Sequence, residues 1–184
     1  MDVVKLTTPL TDSDLEKLAI GQRVLLSGKI LTARDAAHKK LVDLLAEGKE
    51  LPVDLQGQVV YYVGPTPAKP GQVIGSAGPT TSGRMDAYAR KLMEKGLKGM
   101  IGKGSRSQDV VDAMHEHKCV YFAAIGGAAA LIAKKIKAAR VIAYEELGPE
   151  AIRELEVEDF PVVVVNDIYN RDLYKEGIKL YSKL

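Results

Sequence analysis

The spacing of apolar residues changes period repeatedly along the chain. VVKL (residues 3–6) reads as a short strand, and Ser13 with Glu16 is spaced as a capping box opening a short helix over Asp14 to Ala19. QRVLLSGKILTA (22–33) is a β-branched and apolar run interrupted by Gly28, which predicts a strand with a bulge or bend. RDAAHKKLVDLLAEG (34–48) switches to helical period: Ala37, Leu41, Leu44 and Leu45 share a face, and Gly48 stands at the stop. Residues 49–57 read as loop, VVYYV (59–63) as a strand, and GPTPAKPGQ (64–72) as irregular chain. A helix is expected from about Met85 to Lys95, ended by Gly96, then a short strand within GLKGMIGKG (96–104). SQDVVDAMHEH (107–117) reads as a helix with Ser107 at the N-cap, and CVYFAAI (119–125) as a buried strand. GGAAALIAKKIK (126–137) predicts a short helix behind a glycine pair. RVIAYEEL (140–147) and PVVVVND (161–167) predict strands, and DLYKEGIKLYSKL (172–184) reads as a polar ending.

Strands that alternate with helices place the chain in the α/β class. The alternation is not strict, because the first half joins long strands through loops alone, so the expected sheet is mixed rather than regularly doubly wound. No G-x-G-x-x-G follows a strand and no G-x-x-x-x-G-K-[ST] occurs, which argues against nucleotide folds. At 184 residues, with no repeat and no linker composition, a single domain over 1–184 is expected.

Composition narrows the partners. A net charge of +2 with signs interspersed gives no nucleic-acid stripe, and the absence of Trp with only two Phe disfavours base stacking. The most apolar stretches are too short to span a bilayer, and MDVVKLTTPL lacks a signal-peptide pattern, so a cytoplasmic protein away from the membrane is expected. The lone Cys119 lies in an apolar run and reads as a small hydrophobe. One Cys and three His cannot build a cysteine-ligated metal site within the chain.

The candidate chemistry gathers where strands end. Arg34 follows the strand ending in LTA, Arg84 follows GSAGPTTSG, and Lys103 leaves GMIG. Cations at strand ends and helix starts suit a small, multiply charged anion. Thr80, Thr81 and Ser82 add hydroxyls, one of which could act as a base or proton relay if neighbouring cations lower its pKa. Plainer roles compete. The three hydroxyls fit helix caps, Arg34 fits an ion pair with Asp35, Lys103 fits a solvated loop, and His38 fits a surface or packing histidine. Phosphate and carboxylate ligands are not separable on these residues.

Four blocks carry a resemblance: ARDAAHKK (33–40), YYVGPTPAKPGQVIGSAGPTTSGRMD (61–86), GMIGKG (99–104) and YFAAIGGAAALIAKKI (121–136). With VEDFPVVVVND (157–167), they resemble the β region of the iron–sulfur hydro-lyases, the class I fumarases and L(+)-tartrate dehydratases. The resemblance covers nearly the whole chain. It implies a swivelling β/β/α domain and reversible hydration of a C4 dicarboxylate, most directly fumarate to (S)-malate. It implies a [4Fe–4S] cluster carried by a partner α subunit in a hetero-oligomer, with this chain inactive alone. Arg34, Arg84 and Lys103 fall on the family's substrate-binding positions and Thr80 on its proposed base, while the family's acid-side partners belong to the α region. Ala33 stands where many relatives have glycine. GGAAALIAKKI (126–136) and VGPTPAKPG (63–71) are candidate docking surfaces. The alternatives are a tartrate dehydratase β subunit, a non-catalytic anion-binding module, and a phosphate-binding α/β enzyme.

Overall fold

The computed structural model describes residues 3–124 and 129–182. Its strands are β1 (Val4–Thr7), β2 (Arg23–Thr32), β3 (Val59–Tyr61), β4 (Gly99–Gly102), β5 (Val120–Ala123), β6 (Ile136–Ala143) and β7 (Ile152–Asn166). The α-helices are α1 (Asp12–Leu15), α2 (Asp35–Ala46), α3 (Asp86–Met93), α4 (Gln108–His117), α5 (Ala129–Ala133) and α6 (Leu173–Tyr181), with 3₁₀ turns at Ser82–Met85 and Glu145–Glu150. The sheet is mixed, in the order β1-β2-β3-β4-β5-β7-β6. Neighbours among β1 to β5 are parallel, whereas β7 runs antiparallel to β2, β5 and β6.

Because β7 pairs with both β5 and β2, the strands β2-β3-β4-β5-β7 close into a ring. Alternation along the strands then separates two cores. Val59, Tyr61, Ile101, Val120, Phe122, Leu155, Phe160 and Val162 pack in one core. Val60, Tyr62, Met100 and Tyr121 face the other way, under Leu41, Leu92 and Met114 of α2, α3 and α4. Burial on both faces is why VVYYV and CVYF read as continuous apolar runs.

The bend expected at Gly28 is present. The β2–β7 register shifts between Leu26 and Gly28, and Gly28 adopts φ +101° where a Cβ would lie 2.7 Å from Thr8 Oγ1. Ser107 caps α4 by accepting from Val110 N. Four expectations are revised. The first helix is Asp12–Leu15, capped by a box of Thr11 and Asp14 instead of Ser13 and Glu16. TDSDLE holds two overlapping capping spacings, and the earlier one engages. The strand expected over RVIAYEEL begins at Ile136 and stops at Ala143, and β7 begins at Ile152, well before PVVVVND. The ending read as polar contains α6, capped by Asp172. Its Ile178, Leu180 and Tyr181 are exposed. The glycine pair of GGAAALIAKKI falls within 125–128, outside the described residues. Among the described residues, no helix is long and apolar enough to cross a membrane.

Candidate functional site

Arg34 occupies the N-cap of α2, a position where Ser, Thr, Asp or Asn normally supplies an acceptor. A guanidinium has none, and Arg34 makes no cap bond. The duty passes to Glu150 at the end of the distant 3₁₀ turn, whose Oε2 accepts from Ala36 N at 3.0 Å. The arginine side chain is thereby released toward the strand ends. It lies across Gly64, where a Cβ would stand 2.6 Å from Nη1. Its Nη2 is 3.6 Å from Glu150 Oε1 and 4.0 Å from Asp35 Oδ2. Its Nε is buried without a hydrogen-bond partner among the described residues.

Arg84 leaves the 3₁₀ turn that leads into α3. Its Nε donates to Asp35 Oδ1 at 2.9 Å, and half of its side chain is exposed. Asp35 therefore stands between both arginines, its Oδ2 buried and without a hydrogen bond. Lys103 follows β4. Its backbone accepts from Ser82 N at 2.9 Å and donates to Thr80 O at 3.3 Å, while Thr80 N donates to Tyr62 O at 2.8 Å. These bonds seat residues 80–82 across the C-terminal ends of β3 and β4. The Lys103 ammonium is exposed and forms no ion pair among the described residues. The half-buried Thr80 hydroxyl makes no hydrogen bond among them.

Arg34, Thr80, Arg84 and Lys103 thus share one edge, the carboxyl ends of the adjacent parallel strands β2, β3 and β4. This is the usual ligand-binding edge of α/β sheets. None of the three hydroxyls caps a helix: the 3₁₀ turn has Thr81 at its N-cap without a side-chain bond, and α3 has Met85. Ser82 is fully buried, and its Oγ lies 2.8 Å from Tyr121 OH, which donates to Gly104 O at 2.8 Å. The tyrosine proton is thus committed, so the serine donates and holds the turn down.

Beneath the edge lies a buried pair that the sequence did not advertise. Arg106, 5% exposed, donates from Nε to Asp86 Oδ1 at 2.7 Å, and Asp86 Oδ2 accepts from Ser107 N at 2.7 Å. The guanidinium also faces the rings of Tyr62 and Tyr121, at 5.4 and 5.2 Å. Asp86 and Arg106 tie the start of α3 to the start of α4. His38 takes the packing role. It is fully buried, its Nδ1 donates to Arg34 O at 2.8 Å, and its ring meets Tyr62 edge-on at 5.3 Å. Burial pushes its pKa down to about 4, so the ring is neutral. Of these further residues, Asp35 left a trace in the sequence as the neighbour of Arg34, and His38 as a candidate packing histidine. Glu150, Gly64, Asp86, Arg106 and Tyr121 left none.

The cationic edge is open. Two clefts of about 360 and 440 Å³ flank the loop 65–76 instead, and neither is lined by Arg34, Thr80, Arg84 or Lys103. The residues of this chain do not fit an iron–sulfur cluster. Cys119 is buried, with its thiol pushed up to about 12 by desolvation, and no group of three His, Cys, Asp or Glu gathers among the described residues.

Comparison with known proteins agrees with the resemblance. The family model described as "Fumarase C-terminus" matches residues 1–177. The chain is 42% identical over 177 residues to "Fumarate hydratase class I, anaerobic" of Escherichia coli (strain K12), covering 94% of this chain and 32% of that relative. It is 40% identical over 166 residues to "Fumarate hydratase 2" of Leishmania major, covering 89% and 29%. It therefore spans about a third of the length of these relatives. By contrast, a match of 39% over 182 residues covers 95% of this chain and 93% of the "Putative L(+)-tartrate dehydratase subunit beta" of Methanocaldococcus jannaschii. A model match over nearly the whole chain establishes that it belongs to the Fumarase C-terminus family, a family of hydro-lyases.

Proposed function

We propose that the chain is the β component of a hydro-lyase that adds or removes water at a C4 dicarboxylate, most directly fumarate and (S)-malate, in the cytoplasm. A cluster-bearing α component completes the site, and the [4Fe–4S] cluster belongs to that component. The observation that carries the reading is the convergence of Arg34, Arg84 and Lys103 beside a threonine hydroxyl with no partner among the described residues, on an edge open to a second component.

In this reading Arg84 meets a substrate carboxylate with its Nη groups, which make no hydrogen bond among the described residues, and Arg34 and Lys103 supply further positive charge. These cations stabilise the enediolate-like charge that develops as a proton leaves carbon. The same cations favour the deprotonated form of the Thr80 hydroxyl, which takes that proton. Thr80→Ala is expected to lower kcat by about a hundredfold or more with KM little changed. Turnover close to that of the parent enzyme would remove Thr80 from the role of base. Arg84→Lys is expected to raise KM and lower kcat/KM, because a point charge cannot replace a planar fork.

Anaerobic mixing with the α component, followed by fumarate absorbance, tests the whole reading. Interconversion of fumarate and malate in the mixture, and in neither component alone, is expected. Activity with tartrate alone would instead support the second reading, a tartrate dehydratase β subunit. The near full-length match to a relative bearing that name favours it. A stable complex with an intact cluster and no turnover of any of the three would leave an anion-binding module.

A further inference from the structure

Two carboxylates stand inside the cationic edge, and for anion binding alone they are a liability. Each lowers the positive potential that Arg34 and Arg84 present. Asp35 is only partly exposed, with Oδ1 on Arg84 Nε at 2.9 Å and Oδ2 buried 4.0 Å from Arg34 Nη2. Glu150 divides its oxygens likewise, Oε2 on Ala36 N and Oε1 3.6 Å from Arg34 Nη2. Glu150 is itself held, because Arg153 donates to the carbonyls of Gly148, Pro149 and Ala151 around it.

A guanidinium can meet a carboxylate side-on, through Nε and one Nη, or end-on, through both Nη groups. By occupying Nε of Arg84, Asp35 closes the side-on edge and leaves the end-on edge open. We propose that Asp35 is a positioning residue that sets Arg84 for end-on capture of a substrate carboxylate, with Glu150 holding the α2 N-terminus on which Asp35 and Arg34 ride. The proposal rests on the reading of Arg84 as a substrate clamp.

The assembled enzyme tests it with Asp35→Ala, Asp35→Asn, Arg84→Ala and the double variant Asp35→Ala/Arg84→Ala. Asparagine keeps an acceptor for Nε, and alanine does not. Arg84→Ala should lower kcat/KM by about a hundredfold and Asp35→Ala by about tenfold, mainly through KM. Asp35→Asn should recover most of the loss, and the double variant should be no worse than Arg84→Ala. In ¹⁵N spectra of the full chain, the Arg84 Nε–H resonance should be sharp in the parent and in Asp35→Asn, and lost in Asp35→Ala. Losses that multiply in the double variant, or an Asp35→Ala variant with parental kcat/KM while Arg84→Ala is impaired, overturn the positioning role and leave the clamp standing. An unimpaired Arg84→Ala overturns the clamp and the proposal with it. A general loss of folding in Asp35→Ala would remove every dispersed resonance. In that case Asp35→Asn decides alone: a retained Nε–H with kcat/KM near the parent supports the role, and a retained Nε–H with kcat/KM lowered as far as in Arg84→Ala overturns it.

Discussion

Single atoms decide much at the cationic edge. Gly64 has no side chain where a Cβ would crowd Arg34 Nη1 and Cδ, at 2.6 and 3.2 Å. The crowded group is the end of a flexible side chain, so Gly64→Ala should displace the guanidinium and leave the backbone in place. Under the proposed function, the expected outcome is a raised KM for the dicarboxylate with a melting temperature within a few degrees of the parent. His38 gives a second test. Its pKa is depressed to about 4 in the folded chain and returns to roughly 6.5 on unfolding. The unfolded chain therefore binds a proton first, so the stability tied to the neutral ring is present above about pH 6.5 and is lost as pH falls toward 4. The loss is on the order of 3 kcal/mol, and urea titrations across that window should show the slope weakened in His38→Phe. The cations and Thr80 were legible because each follows a strand or a turn by local pattern alone: Arg34 follows the run LTA, Thr80 and Arg84 lie in the glycine-rich GSAGPTTSGR, and Lys103 stands between two glycines. Glu150 was not, because only the long return of β6 and β7 brings it to the start of α2.

Elements were legible where a residue's local chemistry decides alone. The cap at Ser107 and the bulge at Gly28 both follow from the side chain, or its lack, at one position. Arg106 was hidden for the opposite reason: within SRSQ it looks like a loop cation, and only the packing of α3 against α4 shows it buried. Removing one member of a buried pair strands the other charge. Asp86→Ala is therefore expected to cost about 3 kcal/mol or more, read from the urea midpoint. Pairing it with Arg106→Met should recover part of that loss. Full additivity of the two changes would mean that the pair is not coupled.

The whole molecule holds the edge through its two cores. The ring core depends on Phe160, fully buried and edge-on to Tyr61 at 5.4 Å. Phe160→Ala should cost about 3–5 kcal/mol in chemical denaturation. The α/β class and the mixed sheet could be inferred from the alternation of periods. Closure of the ring could not, because it needs β7 to be a single 15-residue strand, and the charged positions in IRELEVED mask its first half.

That closure also sets a timetable. β2 pairs with β7 through partners such as Arg23 with Val163 and Thr32 with Arg153. A growing chain has therefore delivered Arg34, Thr80, Arg84 and Lys103 long before the strand that finishes the ring exists. Contacts so distant in sequence form slowly. In refolding from urea, amide protection in β2 and the Arg84 Nε–H resonance should appear with one rate constant. Nascent chains ending before Ile152 would carry all four residues on an unfinished sheet.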